Sequence, residues 1–298
     1  GCDSVIALGG GSVIDAAKVV KLMPTHRKSP GQFVGLFKAR NRGVPFAAVP
    51  TTAGTGSETT IGAVISDDST HEKGIVADHR VVPDFAVLDP RLTLSMPPAV
   101  TASTAIDALT HAVEAFTGVN SSPDCDAFSL AAVKIIYEYL PKVYKNGKNL
   151  EGRYQLLKAS FMGGIALNKG IVGYVHAIAH NLGRLYDTPH GLGNAVALPY
   201  VMEFYLDAIP HRLATIARAL GLGKKNDTEE SLAKQFIESL YALNKKVGIP
   251  EGLAEIREQD VDDLVKSALK EAHMGPYPVP KYMNRRQCEA IVRKMMAR

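Results

Sequence analysis

The chain has few of the features that mark disulfide-stabilised or membrane-spanning proteins. Its 298 residues include only three cysteines, Cys2, Cys125 and Cys288. These are too few and too far apart for a disulfide framework or a cysteine-based zinc site, so we expect a reducing, cytoplasmic environment. No apolar run reaches the roughly 18 residues that a membrane-spanning helix needs, and the N-terminus has no recognisable signal peptide.

Clustered positive charge is also missing. The net charge is only +4 and the Lys and Arg residues are dispersed, which argues against nucleic-acid binding. With 46% hydrophobic and 21% charged residues, the chain has an ordinary globular composition and enough length for two domains. It begins "GCDSVIALGG", with glycine instead of methionine and a strand almost at once. We therefore expect a fragment whose N-terminal part is missing.

The sequence pattern changes near residue 98. Before that point, short apolar segments predict strands at residues 5–8, 45–50, 62–66 and 85–89, with a helix after the first strand. The two prolines of "SMPPAV" then mark a break. The pattern predicts an α/β nucleotide-binding domain over residues 1–97 and an all-α domain over residues 98–298.

Long amphipathic helices dominate the second half of the sequence. They are predicted at residues 100–117, 124–144, 150–166, 193–206, 212–220, 229–247 and 260–272. The second of them has a clear start signal, with Ser122 as the N-cap and Pro123 at the first helical position.

A glycine-rich turn, "GGGSVID" at residues 9–15, separates the first predicted strand from its helix. Glycine lets the backbone approach a ligand closely, and free N–H groups at a helix N-terminus favour an anion such as a pyrophosphate. The turn departs from G-x-G-x-x-G, because Ile14 replaces the third glycine and no acidic residue follows about 20 positions later. A plain strand-to-helix turn, braced by Asp15, is an equally good interpretation.

A second loop, "TTAGTGSE" at residues 51–58, follows the strand predicted at residues 45–50. Its hydroxyls and glycines suit a sugar–phosphate, although such a loop on its own is more often a flexible surface segment. Two such loops after two strands favour a nucleotide site, because α/β sheets bind nucleotides at the carboxyl ends of their strands.

Three of the nine histidines fall within the segment "GYVHAIAHNLGRLYDTPHG". His176 and His180 are four residues apart, so they share one face of a helix that we expect to end at Gly183. His190 follows in what we interpret as a proline-fixed loop. Upstream, Asp107 and His111 repeat the four-residue spacing on another predicted helix.

A carboxylate and several imidazoles in one place are what a divalent first-row cation requires. Ordinary packing or surface histidines are an equally good interpretation of the spacing alone. The His176–His180 pair lacks the glutamate of H-E-x-x-H, since Ala177 occupies that position, and this disfavours a zincin-type hydrolase.

Four segments in order give a more specific indication: "GGGSVIDAAK", "PTTAGTGSE", "DALTHAVEAF" and "HAIAHNLGRLYDTPHG". The whole chain resembles the iron-containing (group III) alcohol dehydrogenase family. This resemblance implies an incomplete Rossmann-like sheet followed by an all-helical metal-binding domain, in a dehydroquinate synthase-like architecture. The segment "HMGPYPVPKYM" at residues 273–283 is richer in proline and tyrosine than the family pattern.

The resemblance also assigns roles to residues. The implied metal ligands are Asp107, His111, His176 and His190. His180 is implied to lie beside substrate and nicotinamide without binding the metal. Because it is one helical turn from a ligand, we expect it to relay a proton. The implied cofactor-binding residues are Gly10, Gly11, Ser12, Asp15, Thr51, Thr52, Gly56, Ser57 and Lys73.

The implied function is hydride transfer between a small alcohol or aldehyde and NAD or NADP, with Fe²⁺ or Zn²⁺ as the metal. We expect a homo-oligomer that binds neither nucleic acid nor membrane. One alternative is a metallohydrolase that uses the same Asp and His residues with Glu114 as general base. Another is a non-catalytic metal-binding fragment.

Overall fold

The described residues of the first third of the chain form two small sheets. The computed structural model describes residues 2–66, 73–275 and 277–297. Its strands are β1 (Val5–Gly9), β2 (Gly35–Leu36), β3 (Phe46–Pro50), β4 (Gly62–Ser66), β5 (Lys73–Ala77) and β6 (Phe85–Ala86). One sheet has the order β1-β3-β6 and is parallel. The other has the order β2-β5-β4, in which only β4 and β5 are antiparallel.

The parallel pair β1–β3 fixes the relative position of the two predicted cofactor loops. The strands pair in register from Val5 opposite Phe46 to Gly9 opposite Pro50. Phe46 and Ala48 face a small core that also contains Ile14 of the following helix. Because both strands end at the same level, the loops after them emerge side by side.

Helices make up most of the rest. They are α1 (Gly11–Val20), α2 (Met23–His26), α3 (Pro98–Thr117), α4 (Pro123–Lys145), α5 (Leu150–Gly170), α6 (Tyr174–Tyr186), α7 (His190–Tyr205), α8 (Pro210–Ala219), α9 (Glu229–Lys246), α10 (Val261–Met274) and α11 (Arg285–Lys294). The predicted cap of α4 is confirmed, since the Ser122 hydroxyl accepts a hydrogen bond from the Cys125 amide. In the described ranges, no helix combines the length and apolarity that crossing a membrane requires.

Helix α3 is the centre of the larger core. It packs against α4, α5 and α7, and alanines such as Ala102, Ala105 and Ala112 are fully or almost fully buried along it. Small side chains let the neighbouring helices approach α3 closely on several sides. The polar residues of this helix are therefore enclosed with the apolar ones.

The predicted fold class is confirmed, and so are the strands at residues 5–8, 45–50 and 62–66. The strand predicted at residues 85–89 is wrong in its length, because β6 covers only Phe85–Ala86. The Asp89 carboxylate caps the short turn that Pro90 begins, which ends the extended conformation. The strands β2 and β5 and the helix α11 were not indicated by the sequence pattern. The division at residues 97 and 98 stays a prediction.

The predicted end of α6 at Gly183 is also wrong, because the helix continues to Tyr186. Leu185 and Tyr186 pack against the main core. This burial outweighs the roughly 1 kcal/mol by which glycine disfavours a helix. The chain leaves the helix at Asp187, which has a left-handed backbone with φ of 53°.

Gly56 illustrates how tightly the loop at residues 51–58 is packed against α5. Its φ is +60°, and an added Cβ would lie 2.8 Å from the Gly164 Cα and 2.9 Å from the Ser160 carbonyl oxygen. We expect Gly56→Ala to lower the free energy of unfolding by about 2–4 kcal/mol, from backbone strain and overpacking together. Urea denaturation would measure it.

Gly62→Ala is the matched control, because no atom of the described residues lies within 4 Å of a Cβ added at this position. We expect a change within about 0.5 kcal/mol for this variant. Equal stability of the two variants would contradict the close approach of the loop to α5.

Candidate active site

Four ionisable side chains from three helices converge in the helical part. Helix α3 supplies Asp107 and His111, α6 supplies His176 and α7 supplies His190, and one ligand atom from each lies within 4.8 Å of all the others. The Nε2 atoms of His111 and His176 are each 3.8 Å from Asp107 Oδ1, and His190 Nε2 is 3.3 Å from it. The structure thus brings together all four of the predicted ligands.

His190 does not lie in a loop, as its proline and glycine neighbours suggested. It is the first residue of α7, with Pro189 at the N-cap. The helix can begin here only with a glycine at position 191, because a Cβ there would come 2.3 Å from the Ser103 carbonyl oxygen of α3. The first turn of α7 therefore packs closely on α3, and this contact places His190 next to Asp107. The need for this close contact explains the glycine after His190.

The charges in this cluster favour a cation. Burial lowers the pKa of His111 to about 4 and holds the pKa of His176 well below its usual value, so both imidazoles are neutral near pH 7 and keep a free lone pair. Burial opposes ionisation of Asp107, but the adjacent histidines outweigh it and lower the pKa of this carboxyl. The result is a buried carboxylate beside two neutral imidazoles.

The four residues fit a divalent metal ion. Bonds of about 2.0–2.2 Å to nitrogen and oxygen require ligand atoms roughly 3–4 Å apart, as the three Asp107 distances are. The donors are one carboxylate oxygen and three imidazole nitrogens, a mixed set that divalent iron and zinc accept. The role of the four residues as ligands stays a prediction.

Glu114 supports His176 from behind. Its Oε2 lies 2.6 Å from His176 Nδ1, and its Oε1 accepts a hydrogen bond from the Val175 amide. A carboxylate on Nδ1 leaves Nε2 available, which is the usual support for a metal-binding histidine. Glu114 is therefore turned away from the open side of the cluster, and its geometry does not match that of the general base in the hydrolase alternative.

Asn194 is a member of the cluster that the sequence does not single out. Its amide nitrogen lies 2.7 Å from Asp107 Oδ1 and 3.2 Å from the Nε2 atoms of both His176 and His190. Asn194 follows His190 by four residues on α7. The four-residue spacing that placed Asp107 and His111 on one helix face could therefore have indicated Asn194 from the sequence.

His180 lies beside the cluster but outside the group of four. Its ring stacks on His190 at 5.2 Å between centroids and meets the edge of His176 at 5.8 Å. Its side chain is 36% exposed, in contrast to the buried His111 and His176. His180 is therefore not one of the four converging side chains, and its role stays a prediction.

The two predicted cofactor loops pack against each other. The Thr51 amide donates to the Gly9 carbonyl oxygen at 3.0 Å, and a Cβ added at Gly10 would lie 3.5 Å from the Thr52 methyl group. Gly10 is the N-cap of α1, and no side chain in the described ranges caps this helix. The first backbone N–H groups of α1 therefore remain available to an anion. Gly11 and the exposed Ser12 follow in the first turn.

Three other predicted cofactor residues face inward. The Ser57 hydroxyl donates to Asp15 Oδ1, and the Val64 amide donates to Asp15 Oδ2 at 2.9 Å. Ser57 and Gly56 are buried. These contacts brace the loop at residues 51–58 against α1. The side chain of Lys73, at the start of β5, lies outside the described part of the chain.

The loop at residues 51–58 also touches the helix that carries Asp107. A Cβ added at Gly54 would lie 2.6 Å from the Thr104 Cβ of α3. Thr104 precedes Asp107 by three residues, so it lies one helical turn away. The candidate cofactor loops and the candidate metal centre are thus neighbours.

Comparison with known proteins agrees with this arrangement. The iron-containing alcohol dehydrogenase model matches residues 1–90, and the model for the C-terminal part of the Fe-containing alcohol dehydrogenase family matches residues 101–296. The chain belongs to the iron-containing alcohol dehydrogenase family.

Individual relatives within this family are similar over almost the whole chain. The NAD-dependent methanol dehydrogenase of Bacillus methanolicus is 39% identical over 91% of this chain and 71% of its own length. The 1,3-propanediol dehydrogenase of Klebsiella pneumoniae is 36% identical over 98% of this chain and 76% of its own. A crystal structure of 1,3-propanediol oxidoreductase superimposes with a TM-score of 0.94 at 36% identity, covering 99% of this chain and 77% of that one.

The predicted family and the predicted function class, alcohol dehydrogenase, are confirmed. These relatives give no support to the metallohydrolase or to the non-catalytic alternative.

Proposed function

We propose that this protein oxidises small alcohols and reduces the corresponding aldehydes, with NAD as the hydride carrier and Fe²⁺ or Zn²⁺ as the metal. One observation carries the proposal. Asp107 and the three histidines converge one helical turn from a loop that borders the uncapped N-terminus of α1. Neither the four converging side chains alone nor the loop and helix N-terminus alone would favour hydride transfer over hydrolysis.

Asp107, His111, His176 and His190 would hold the metal. A divalent cation bound there supplies Lewis acidity toward the hydroxyl or carbonyl oxygen of the substrate. The mixed oxygen and nitrogen donors suit iron and zinc alike. Because zinc binds such sites more tightly than iron in general, we expect the resident metal to depend on supply.

The chain's own residues bind and orient the reactants. The N-terminus of α1 at Gly10, Gly11 and Ser12 would bind the pyrophosphate through its amides. Thr51 and Thr52 would contact the adjoining sugar, and Lys73 would approach a phosphate or ribose. Asp15, Gly56 and Ser57 hold these loops together. NAD is favoured over NADP because one relative, the Bacillus methanolicus enzyme, is NAD-dependent.

His180 is the proposed proton carrier. Its ring borders both His176 and His190 without joining the four ligands. A general acid–base group must reach the substrate oxygen without binding the metal itself, and this position supports that role. The expected homo-oligomer and the cytoplasmic location stay predictions.

Removal of the metal tests the proposed function. We expect a chelator to abolish alcohol-dependent NADH formation, and Fe²⁺ or Zn²⁺ to restore it. The assay would use a panel of short alcohols and aldehydes with both NAD(H) and NADP(H), together with metal analysis of the same preparation. Blue-shifted fluorescence of bound NADH should persist in the metal-free protein, because the loops do not depend on the metal. An undiminished rate in fully metal-depleted protein would refute the proposal.

A further inference from the structure

The imidazole of His180 is hydrogen-bonded to a carboxylate from a distant part of the sequence. His180 Nδ1 lies 2.6 Å from Oε1 of Glu271. Glu271 is on α10, and His180 is on α6, against which α10 packs. Glu271 is therefore part of a different element from all four candidate metal ligands.

Glu271 is surrounded by hydrogen-bond donors. The Asn181 side-chain amide donates to Oε2 at 3.1 Å, and the Tyr277 hydroxyl donates to Oε1 at 2.8 Å. A group that accepts from an amide and a hydroxyl in this way acts as a carboxylate. His180 Nδ1 must then be the donor in its contact with Glu271, so the proton of the neutral imidazole resides on Nδ1.

The second nitrogen of His180 is left for another partner. Within the described part of the chain, His180 Nε2 has no hydrogen bond. The ring that carries it is 36% exposed and stacks on His190. With Nδ1 protonated, Nε2 carries the lone pair and is able to take a proton from a substrate hydroxyl beside the cluster.

We propose that Glu271 is a positioning residue, which holds His180 in the Nδ1-protonated tautomer and directs Nε2 toward the substrate. This inference rests on the proposed function. During alcohol oxidation the hydroxyl O–H bond breaks and an Nε2–H bond forms, while the C–H electron pair leaves as hydride to the oxidised nicotinamide. The imidazolium that results lies next to the Glu271 carboxylate, which stabilises its charge.

The tautomer is important because only one form of a neutral histidine can accept at Nε2. Without Glu271, both tautomers and more than one ring orientation become accessible, and only a fraction of the molecules is competent. The expected loss lies in the chemical step, because among the described residues Glu271 is hydrogen-bonded to His180, Asn181 and Tyr277 and to none of the four ligands.

A double-mutant cycle tests this role. We expect Glu271→Ala to lower kcat for a short alcohol with saturating NAD⁺ by about 10- to 100-fold, which is part of the full contribution of a general base. The KM and the metal content should stay within about twofold. Glu271→Gln should retain more activity than Glu271→Ala, since its carbonyl oxygen still accepts from Nδ1. In a His180→Ala background, Glu271→Ala should lower kcat by less than about twofold.

Asp263→Ala is the matched control. Asp263 is also on α10 and forms a second bridge to α6, with its carboxylate 2.8 Å from Arg184. The Asp263→Ala substitution removes a contact between the same two helices and leaves the contacts of His180 in place. If Glu271 only tied α10 to α6, the two variants would have similar effects on kcat, and the proposal would fail.

A spectroscopic measurement keeps this inference separable from the proposed function. Nitrogen-15 NMR of the zinc-loaded protein, assigned with a His180→Gln variant, should show the Nδ1-protonated tautomer for His180 and a mixture in Glu271→Ala. A wild-type His180 protonated on Nε2, or an unreduced effect of Glu271→Ala in the His180→Ala background, would overturn the role of Glu271. A wild-type protein inactive with every alcohol and cofactor would instead reject the proposed function, and the NMR result would still decide the tautomer.

Discussion

Asp107→Asn is expected to release the metal and to remove nearly all turnover. Asp107 supplies the only carboxylate among the four converging residues, and its oxygen lies 3.3–3.8 Å from the three imidazole nitrogens. Changes to residues that merely support a ligand cost about 10- to 100-fold in metal affinity. Loss of a buried anionic ligand should exceed that, so we expect at least about a 1,000-fold loss of kcat. Elemental analysis and alcohol-dependent NADH formation would measure both effects.

Asp124→Asn is the control for this substitution. Asp124 is an exposed residue at the start of α4, paired with Lys169 on the surface, and removal of its charge should leave metal content and kcat unchanged. Retention of the metal by Asp107→Asn would show that the three histidines bind without the carboxylate and would contradict the proposed ligand set.

The thermal stability of the metal-free protein distinguishes a loss of metal binding from a loss of folding. In the absence of a cation, the buried Asp107 carboxylate accepts a hydrogen bond from the Asn194 side-chain amide at 2.7 Å, and the adjacent histidines hold its pKa below the usual range. Asp107→Asn weakens these contacts by about 1.5–3 kcal/mol, so the metal-free variant should unfold only a few degrees below the metal-free native protein. A much lower unfolding temperature would mean that Asp107 is needed for folding, and the lost activity would not then indicate metal binding.

Local spacing was sufficient to predict much of the metal centre. Asp107 with His111, and His176 with His180, are pairs separated by one helical turn, and a helix places such pairs on one face. Which histidine of the second pair joins the cluster cannot be read from spacing, because both face the same way. Only the resemblance to the family distinguished His176 from His180, and the packing of α6 against α7 and α10 explains the difference.

The parts that the sequence did not reveal depend on distant contacts. Glu271 lies 91 residues from His180 along the chain, and neither residue carries a local sign of the other. Gly183 looks like a helix end until the burial of Leu185 and Tyr186 against the core is known. Likewise β2 has only two residues, and its pairing with β5 is set by tertiary structure and not by any periodic pattern.

His180→Ala is expected to slow turnover while the metal stays bound. His180 adjoins the cluster through ring contacts alone, so its loss should leave the four ligand atoms in place. Removal of a positioned proton carrier typically costs about 10²- to 10⁴-fold in rate, and we expect kcat to fall within that range with the KM for NAD⁺ nearly unchanged. Because the native side chain is partly exposed, added imidazole should restore some of the rate.

The exposed His211 at the start of α8 provides the matched control, and His211→Ala should behave as the native protein does. The pattern across the variants is decisive, because Asp107→Asn should lose metal and turnover together whereas His180→Ala should lose turnover only. If His180→Ala also released the metal, His180 would have to be counted among the ligands, and Glu271 would then support a fifth metal-binding side chain instead of a proton carrier. If it retained full kcat at saturating substrate, the proton would have to leave by another group or directly to water.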